Sequence, residues 1–260
     1  MDIPSRPTTA LILAAGLGSR LGEVSGGRPK GLCRIGGATL MERSLRTLGA
    51  AGFTDIVLIT GFAADAYRAF LAAQFPSVRI VHNPHYMHTG SMHSLYLARE
   101  EMPADFLLVE SDLLYEARAL STLVVEPRSD ILLLSGPTGQ GDEVYAYGHG
   151  SRLRHLSKVR QPGVEALGEF VGISRFSRSL LDELSARHRS RPDFPSPQSY
   201  DDAVSELAAV RPIGVHTVPD LIWAEIDDPG QYARAHSQVL PALDSLAPGS
   251  ASSTLHVAAS

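Results

Sequence analysis

Apolar residues in the first half of the chain form short runs that alternate with segments of helical periodicity. The apolar runs predict four strands, at Thr9 to Ala14, Asp55 to Thr60, Val78 to His82 and Phe106 to Val109. The periodic segments predict three helices, at Thr39 to Ala51, Ala63 to Gln74 and Gly90 to Glu101. Strands that alternate with helices predict right-handed crossovers and a mostly parallel, doubly wound sheet covered on both faces.

The pattern changes from about Ile131 onward. The shorter segments "EVYAYG" and "RLRHLSK", separated by glycine turns, predict a smaller antiparallel extension that carries the second half of a site. Two further helices are predicted at Ser177 to His188 and Tyr200 to Val210. We therefore predict an α/β fold in one domain over residues 1–246, with halves at about 8–130 and 131–240. The small-residue segment 247–260 is predicted to be a disordered tail.

Composition narrows the class of protein. A hydrophobic content of 44% and a net charge of -5 over 260 residues indicate a soluble globular chain without a broad nucleic-acid-binding face. The opening "MDIPSRPTTA" has no basic segment before an apolar one, and no segment reaches the length of a membrane span, so we expect a cytoplasmic protein without a membrane partner. Cys33 is the single cysteine, which excludes an internal disulfide and a thiolate metal cluster.

The first strand runs into a glycine-rich segment, "LILAAGLGSRLGEVSGGRPK", at the carboxyl edge of the predicted sheet, where ligands of such folds bind. A dinucleotide-binding loop fits poorly, because Gly22 falls one residue late and the second strand ends in Thr60-Gly61 without an acidic residue. A Walker loop fits less well, because Lys30 neither follows a glycine nor precedes Ser or Thr. The segment therefore indicates a phosphate-binding loop of another kind.

Lysine is rare in this chain. Of 23 Lys and Arg residues, only Lys30 and Lys158 are lysines. An ammonium group can approach a single phosphate oxygen from a narrow direction, whereas a guanidinium is a broad fork. Because Lys30 closes the glycine-rich segment, we interpret it as a phosphate contact.

The segments "LAAGLGSR" and "RPKGL" resemble the signature of the nucleotidyltransferases that join a nucleoside triphosphate to a sugar phosphate or phospho-alcohol and release pyrophosphate. The resemblance implies a Rossmann-like fold of the GT-A type. It also implies that Leu13, Ala14, Ala15 and Gly16 hold the base, that Gly18 and Arg20 hold the triphosphate, and that Lys30 contacts phosphate during transfer.

Later segments narrow the resemblance to the cytidylyltransferase branch that acts on phosphocholine and small phosphonates. They are "SMHSLYLAREE", "LLVESDLLYE", "LSK", "EFVGISRFS", "YDDAVSELA" and "DLIWAEIDDPGQYARA", and the resemblance covers about the first 235 residues. It implies CTP as donor and Mg²⁺ held by Asp112, Glu225 and Asp227, with Ser91 and Asp112 among the nucleotide contacts. The chain departs from the pattern at Gly90 to His93, where the family often has Asn-Asn-Ile-Tyr.

The acidic residues support a metal site independently of the resemblance. Asp112 follows a buried strand, and Glu225 and Asp227 stand at alternate positions of the predicted strand "IWAEID", so that their side chains point the same way. Such a pair favours a bound cation, and Mg²⁺ prefers oxygen ligands. An acceptor oxygen that is already anionic can attack the α-phosphorus of CTP without a general base, so we expect catalysis by positioning and charge compensation. Lys30 and Arg20 would stabilise the triphosphate, and Lys158 would guide the acceptor oxygen or the α-phosphate.

The acceptor is the least constrained part of the hypothesis. Candidate acceptor contacts are Tyr115, Lys158, Glu169, Tyr200 and Trp223, with Asp201 beside them. Four histidines in "HNPHYMHTGSMH" are interpreted as an exposed loop or as contacts to an anionic ligand, and a zinc site there is disfavoured by their spacing. Cationic histidines would disfavour both choline and a primary amine, and "GSMHS" departs from the phosphocholine-like pattern beside the expected pocket. We therefore favour a small phosphonate over phosphocholine: 2-aminoethylphosphonate, hydroxyethylphosphonate or phosphonoformate.

Other functions stay open at this level. Phosphocholine is the first alternative acceptor, a sugar-1-phosphate is the second, and a non-catalytic nucleotide-binding regulatory protein is the third. If the acceptor is a phosphonate, the pathway we expect is phosphonate antibiotic biosynthesis. The oligomeric state is left open, a homodimer being one option.

Overall fold

A computed structural model describes residues 6–246, and the predicted tail at 247–260 lies outside the described residues. The strands are β1 (Thr9–Ala14), β2 (Arg34–Ile35), β3 (Ala38–Thr39), β4 (Asp55–Thr60), β5 (Arg79–His82), β6 (Phe106–Glu110), β7 (Leu113–Tyr115), β8 (Ile131–Ser135), β9 (Tyr145–His149), β10 (Arg152–Ser157), β11 (Gly168–Phe176), β12 (Gly214–Val218) and β13 (Trp223–Glu225). The helices are α1 (Leu40–Ala50), α2 (Ala64–Gln74), α3 (Ser91–Leu97), α4 (Arg118–Val125), α5 (Arg178–Ser190), α6 (Tyr200–Ala208), α7 (Pro229–Arg234) and α8 (Leu240–Leu246). Within these residues, no helix combines the length and apolar character that a bilayer crossing requires.

Nine strands form one mixed sheet in the order β5-β4-β1-β6-β11-β8-β12-β10-β9. The strands β5, β4, β1 and β6 run parallel, as predicted, whereas β11 is antiparallel to both β6 and β8. The predicted α/β class is therefore confirmed. The antiparallel extension belongs to the same sheet, because β11 pairs with β6.

The sheet is covered on both faces, because β1, β6 and β8 are apolar at most of their positions. In β1, Ile12 packs into one buried cluster with Leu58 of β4, whereas Leu11 packs into the opposite cluster with Val57. Successive side chains of a strand point to opposite faces, so an uninterrupted apolar run is what a doubly covered strand requires. Buried apolar clusters thus cover both faces of the sheet.

Helix boundaries differ little from the predictions, with one exception. The predicted helix from Gly90 to Glu101 is divided into α3 and a 3-10 turn at Ala98–Glu101. The predicted helix from Tyr200 ends at Ala208. Serine side chains cap the N-termini of α5 and α6. Ser177 accepts a hydrogen bond from the Leu180 amide, and Ser199 accepts one from the Asp202 amide.

The carboxyl ends of β1 and β6 bring the functional segments together. Leu13 of β1 pairs with Glu110 of β6, so the chain after each strand emerges at the same edge. The short ribbon of β7 and β13 pairs Leu113 with Glu225, and the Ile226 amide donates to the Asp112 carbonyl at 3.0 Å. Sequence positions more than 100 residues apart thereby meet beside the glycine-rich segment.

The buried carboxylate of Glu126, paired with two partly exposed basic side chains, gives a stability prediction. The Glu126 carboxylate accepts hydrogen bonds from Arg128 Nε at 2.8 Å and from His216 Nδ1 at 2.8 Å. Hydrogen bonds from Arg128, the largest cause, lower the pKa of Glu126 to about 2 from its ordinary value of 4.5. A carboxyl with a lowered pKa stabilises the fold above its unfolded pKa, and that stability is lost as pH falls toward the folded value.

We expect Glu126→Gln to lower the free energy of unfolding at pH 7 by about 2 kcal/mol, because hydrogen bonds to a charged group are lost. The difference from the parent protein should shrink as pH falls from 4.5 toward 2, where the parent carboxyl also becomes protonated. Urea denaturation at a series of pH values measures both effects. Asp65→Asn, in an exposed pair with Arg68, is the matched control and should change stability far less. A difference that is constant with pH would contradict the assignment.

Candidate active site

A cavity of about 250 Å³ lies at the carboxyl ends of β1 and β6. Its lining comes from the glycine-rich segment, the end of β6, the segment before α3 and the start of α6. The lining residues are Leu13, Ala14, Ala15, Gly16, Gly18, Lys30, Tyr67, Asn83, Tyr86, Thr89, Gly90, Ser91, Ser94, Glu110, Ser111, Asp112, Tyr200 and Asp201. Every residue proposed to contact the nucleotide, except Arg20, therefore lies along one surface.

The glycine-rich segment folds closely over Lys30. Gly18 has a positive φ of 63°, and a Cβ atom built on it would lie 2.7 Å from Cγ of Lys30. Both observations require glycine at this position, because a side chain would strain the backbone and displace the lysine. Gly18 thus holds the stem of Lys30, whose ammonium group is directed to the acidic residues.

Lys30 and Arg20 are paired with carboxylates in this structure. The Lys30 ammonium lies 2.9 Å from Asp112 Oδ2 and also contacts Asp227. Arg20 contacts Asp227 and lies 3.8 Å from Asp142 Oδ2. The cations predicted for phosphate thus contact the acids predicted for metal, with Asp227 at the centre.

The acids form two overlapping groups that share Glu225. Carboxylate oxygens of Glu110, Asp112 and Glu225 approach one another within 4.8 Å, and so do those of Asp142, Glu225 and Asp227. The predicted set of Asp112, Glu225 and Asp227 is thus distributed over both groups. Sequence reasoning did not include Glu110 or Asp142 in it.

The electrostatics of these groups fit a divalent cation. Burial, reinforced by the Asp112 carboxylate, raises the pKa of Glu225 to about 7. Burial, followed by the nearby Glu225 and Asp112, raises the pKa of Glu110 well above its ordinary range. Converging carboxylates repel one another unless protons or a cation compensate them, and oxygen ligands suit Mg²⁺. The donor set therefore fits a divalent ion at the cavity edge.

The segment around Ser91 connects two helices at the edge of the cavity. A Cβ atom on Gly90 would collide with the carbonyl oxygens of Pro197 and Gln198. Ser91 Oγ accepts a hydrogen bond from the Tyr200 amide at 2.9 Å. Gly90 and Ser91 thus fasten the start of α3 to the start of α6, and Ser91 lines the cavity from that position.

Tyr200 crosses from α6 to the end of β6. Its hydroxyl donates to Glu110 Oε1 at 2.6 Å. Gly172 of β11 faces the same carboxyl group, since a Cβ atom there would lie 3.0 Å from Glu110 Cδ. Glu110 is thereby held at the base of the cavity next to Asp201, which also lines it.

The other predicted acceptor contacts occupy different places. Tyr115 and Trp223 are buried in the core, and the Tyr115 hydroxyl lies 2.7 Å from Ser44 Oγ. Glu169 is buried and accepts hydrogen bonds from the amide and hydroxyl of Thr138, at 2.8 and 2.7 Å. Lys158 is exposed, and its charge offsets a small part of the rise in the pKa of Glu225, which places it near the acidic groups. The structure thus separates Tyr115, Trp223 and Glu169 from the cavity lining.

The histidine-rich segment does not supply histidines to the cavity lining. Its contributions there are Asn83, Tyr86, Thr89, Gly90 and Ser91. His93 belongs to α3 and is buried. Its Nδ1 atom lies 3.1 Å from the Nε2 atom of His188. Burial lowers the pKa of His188 to about 4, so it is neutral at pH 7. The expectation that cationic histidines stand beside the acceptor is therefore not supported by the lining.

The chain matches the MobA-like NTP transferase domain over residues 10–191. Because this match covers well over half of the sequence, the chain belongs to that family. The predicted family resemblance is confirmed, including its cytidylyltransferase branch, by the relatives that follow.

Two relatives and one solved structure are similar to this chain over most of its length. CMP-5'-(3-aminopropyl)phosphonate synthase of Streptomyces rubellomurinus is 32% identical over 90% of this chain, which spans only 39% of the length of that protein. The 2-aminoethylphosphonate cytidylyltransferase of Lancefieldella rimae is 26% identical, with 87% of this chain and 91% of the relative covered. The inositol-1-phosphate CTP transferase of T. maritima superposes with a TM-score of 0.76 at 19% identity, covering 88% of this chain and 92% of the other.

Proposed function

We propose that this protein transfers CMP from CTP to a small aminoalkylphosphonate and releases pyrophosphate. The observation that carries the proposal is a cavity lined by the glycine-rich loop, Lys30, Glu110 and Asp112, beside which Glu225, Asp142 and Asp227 complete the two acidic groups. The two relatives support the choice, because one is named for an aminopropylphosphonate and the other for an aminoethylphosphonate.

The base and phosphates would follow the cavity lining. Backbone from Leu13 to Gly16 faces the cavity, where a planar base can lie against small residues, and Gly18 continues that surface toward Lys30. Lys30 and Arg20 would bind phosphate oxygens. Lys158, which directly follows β10, would guide the acceptor oxygen. The phosphonate oxygen is already anionic near neutral pH, so in-line attack on the α-phosphorus needs no protein base.

A divalent cation, Mg²⁺ in our proposal, would be held by Asp112, Glu225 and Asp227, with Glu110 and Asp142 beside them. When bound, it would neutralise charge on the phosphate oxygens. Lys30 and Arg20 would then exchange their contacts with Asp112 and Asp227 for phosphate oxygens. CTP and the metal would therefore each bind more tightly when the other is bound. The triphosphate would compensate the charges of Lys30 and Arg20, and the metal would compensate those of Asp112 and Asp227.

The acceptor amine would be recognised by acidic groups at the base of the cavity. Asp201 and Glu110 line that region, and Tyr200 supplies a hydroxyl between α6 and β6. A primary ammonium has three hydrogen-bond donors and requires such acceptors, whereas a quaternary ammonium requires aromatic faces. Tyr115 and Trp223 lie in the core, whereas Tyr67, Tyr86 and Tyr200 line the cavity, so our choice of a primary amine over choline rests on the acidic groups and on the names of the two relatives.

The decisive experiment is an acceptor comparison. Pyrophosphate release would be followed with CTP, Mg²⁺ and, in turn, 2-aminoethylphosphonate, 3-aminopropylphosphonate, hydroxyethylphosphonate, phosphonoformate, phosphocholine and a hexose-1-phosphate. We expect the aminoalkylphosphonates to have the highest kcat/KM. A preference for phosphocholine of more than about tenfold, or about 1.4 kcal/mol, would identify a choline enzyme instead. Release with the hexose-1-phosphate alone would remove the phosphonate assignment.

Asp201→Asn tests the amine contact directly. We expect it to raise KM for 2-aminoethylphosphonate about tenfold, because a charge-assisted contact to the ammonium is lost. KM for hydroxyethylphosphonate, which has no amine, should change less than about twofold on the same argument. Asp202→Asn is the matched control, since Asp202 is exposed and does not line the cavity. Equal effects on both acceptors would place Asp201 outside the amine site.

A further inference from the structure

The loop at residues 136–144 connects β8 to β9 and has no regular secondary structure. Gly139 and Gly141 have positive φ values of 66° and 100°, so the loop needs contacts from elsewhere to fix its path. Two buried side chains supply them. Glu169 of β11 accepts from Thr138, and Gln231 of α7 donates to Asp142.

Gln231 has 5% of its surface exposed, and both ends of its amide are used. Its Nε2 donates to Asp142 Oδ1 at 2.6 Å, and its Oε1 accepts from the Asp227 amide at 2.6 Å. A carboxylate needs a donor and a backbone N–H needs an acceptor, so a side-chain amide fits both requirements. The side chain of Asp228 accepts a hydrogen bond from the backbone N–H of Gln231 at 2.8 Å and thereby caps the N-terminus of α7.

This bridge determines where Asp142 lies. Asp142 is 3.8 Å from Arg20 and belongs to the acidic group with Glu225 and Asp227. The Arg20 side chain is 59% exposed, so its orientation depends on its carboxylate partners. One of those partners is Asp227, whose own backbone is held by Gln231.

We propose that Gln231 is a positioning residue that latches the 136–144 loop to Asp227 and thereby holds Asp142 beside Arg20 and Glu225. The proposal rests on the proposed function, because it assigns the latch to the site that binds the triphosphate. Gln231 acts through Asp142 and Asp227 and does not contact substrate. Outer partners of binding residues affect activity by orienting them.

The latch itself is tested by hydrogen exchange, without reference to activity. Gln231→Glu keeps an acceptor for the Asp227 amide and sets a carboxylate against Asp142, which should open the loop. We expect amide exchange across residues 136–144 to rise about tenfold. The double substitution Gln231→Glu and Asp142→Asn reverses this hydrogen bond, so that residue 142 donates and residue 231 accepts. We expect it to bring the amide exchange rates of residues 136–144 to within about threefold of those in the parent protein.

The functional role is tested by pyrophosphate release with CTP, Mg²⁺ and the best acceptor from the panel. Gln231→Glu should lower kcat/KM for CTP about tenfold to a hundredfold, chiefly through KM, because Arg20 and the acidic group lose their alignment. Gln238→Glu is the matched control, since Gln238 is exposed in the helical segment that follows α7. It should leave kcat/KM within about twofold.

The outcomes separate the latch from the proposed function. Unchanged exchange in Gln231→Glu overturns the latch, whatever the activity. Increased exchange with unchanged kcat/KM overturns the positioning role. Increased exchange that the double substitution reverses, together with a raised KM for CTP, supports the proposal. If the parent protein releases no pyrophosphate with any acceptor, the proposed function fails, and the exchange results still decide whether Gln231 holds the loop.

Discussion

Lys30→Met is expected to lower the turnover number for CMP transfer at least about a hundredfold, because a charged donor to the transferring phosphate is lost. Methionine retains an unbranched stem that can lie against Gly18, where the lysine Cγ packs. The substitution therefore removes the ammonium group while keeping most of the packing. Lys30 has 18% of its side chain exposed and reaches both Asp112 and Asp227, so its position is well defined.

Pyrophosphate release at saturating CTP, Mg²⁺ and acceptor measures the effect on kcat. Arg46→Met is the matched control, because it removes a cation that is 67% exposed on α1 and paired only along the helix. Thermal unfolding of both variants separates catalytic from structural loss. A reduction of less than about tenfold would show that Lys30 does not stabilise the transition state.

The local part of the site could be predicted from the sequence. The glycine-rich segment follows an apolar strand directly, so its place at the carboxyl edge of the sheet follows from strand periodicity and topology. The same reasoning places Asp112 after β6. Glu110 was missed because the predicted strand ended at Val109, although the alternation of β6 continues one residue further. Glu110 lies on the same face as Leu108, and that period of two is the signal that could have identified it.

The rest of the site depends on contacts between distant segments. Asp142 lies 3.8 Å from Arg20 and accepts a hydrogen bond from Gln231, 89 residues later, and no local pattern encodes either contact. Tyr115 and Trp223 were reasonable aromatic candidates, but β7 and β13 pair them across a ribbon that packs into the core. Aromatic residue type alone does not distinguish a ligand cage from a core position.

The acid pair illustrates both limits. Alternation along the predicted strand indicated that Glu225 and Asp227 share a face, and their carboxylates do share one acidic group. However, β13 ends at Glu225, and Asp227 is positioned by the Gln231 hydrogen bond to its amide rather than by the strand. Glu225 and Asp227 were therefore correctly predicted to be neighbours, but strand alternation applies only as far as Glu225.

Asp227→Asn is expected to lower kcat/KM for CTP by about a hundredfold or more and to raise the Mg²⁺ concentration for half-maximal activity at least about tenfold. Asp227 has 5% of its side chain exposed and contacts both Lys30 and Arg20, so in our proposal it serves the phosphate site and the metal site alike. The asparagine keeps the shape and one oxygen ligand but loses the charge. Its effect should therefore be partly overcome by excess Mg²⁺, whereas that of Lys30→Met should not.

Asp228→Asn is the matched control for this substitution, one residue further along the chain. Asp228 caps α7 by accepting the Gln231 amide, and asparagine caps helices about as well as aspartate. The control should therefore keep kcat/KM within about threefold of the parent protein. Magnesium titrations of the parent and both variants, followed by pyrophosphate release, measure the difference. If the Mg²⁺ midpoint of Asp227→Asn equals that of Asp228→Asn, then Asp227 is not a metal ligand, and its buried carboxylate serves only to orient Lys30 and Arg20.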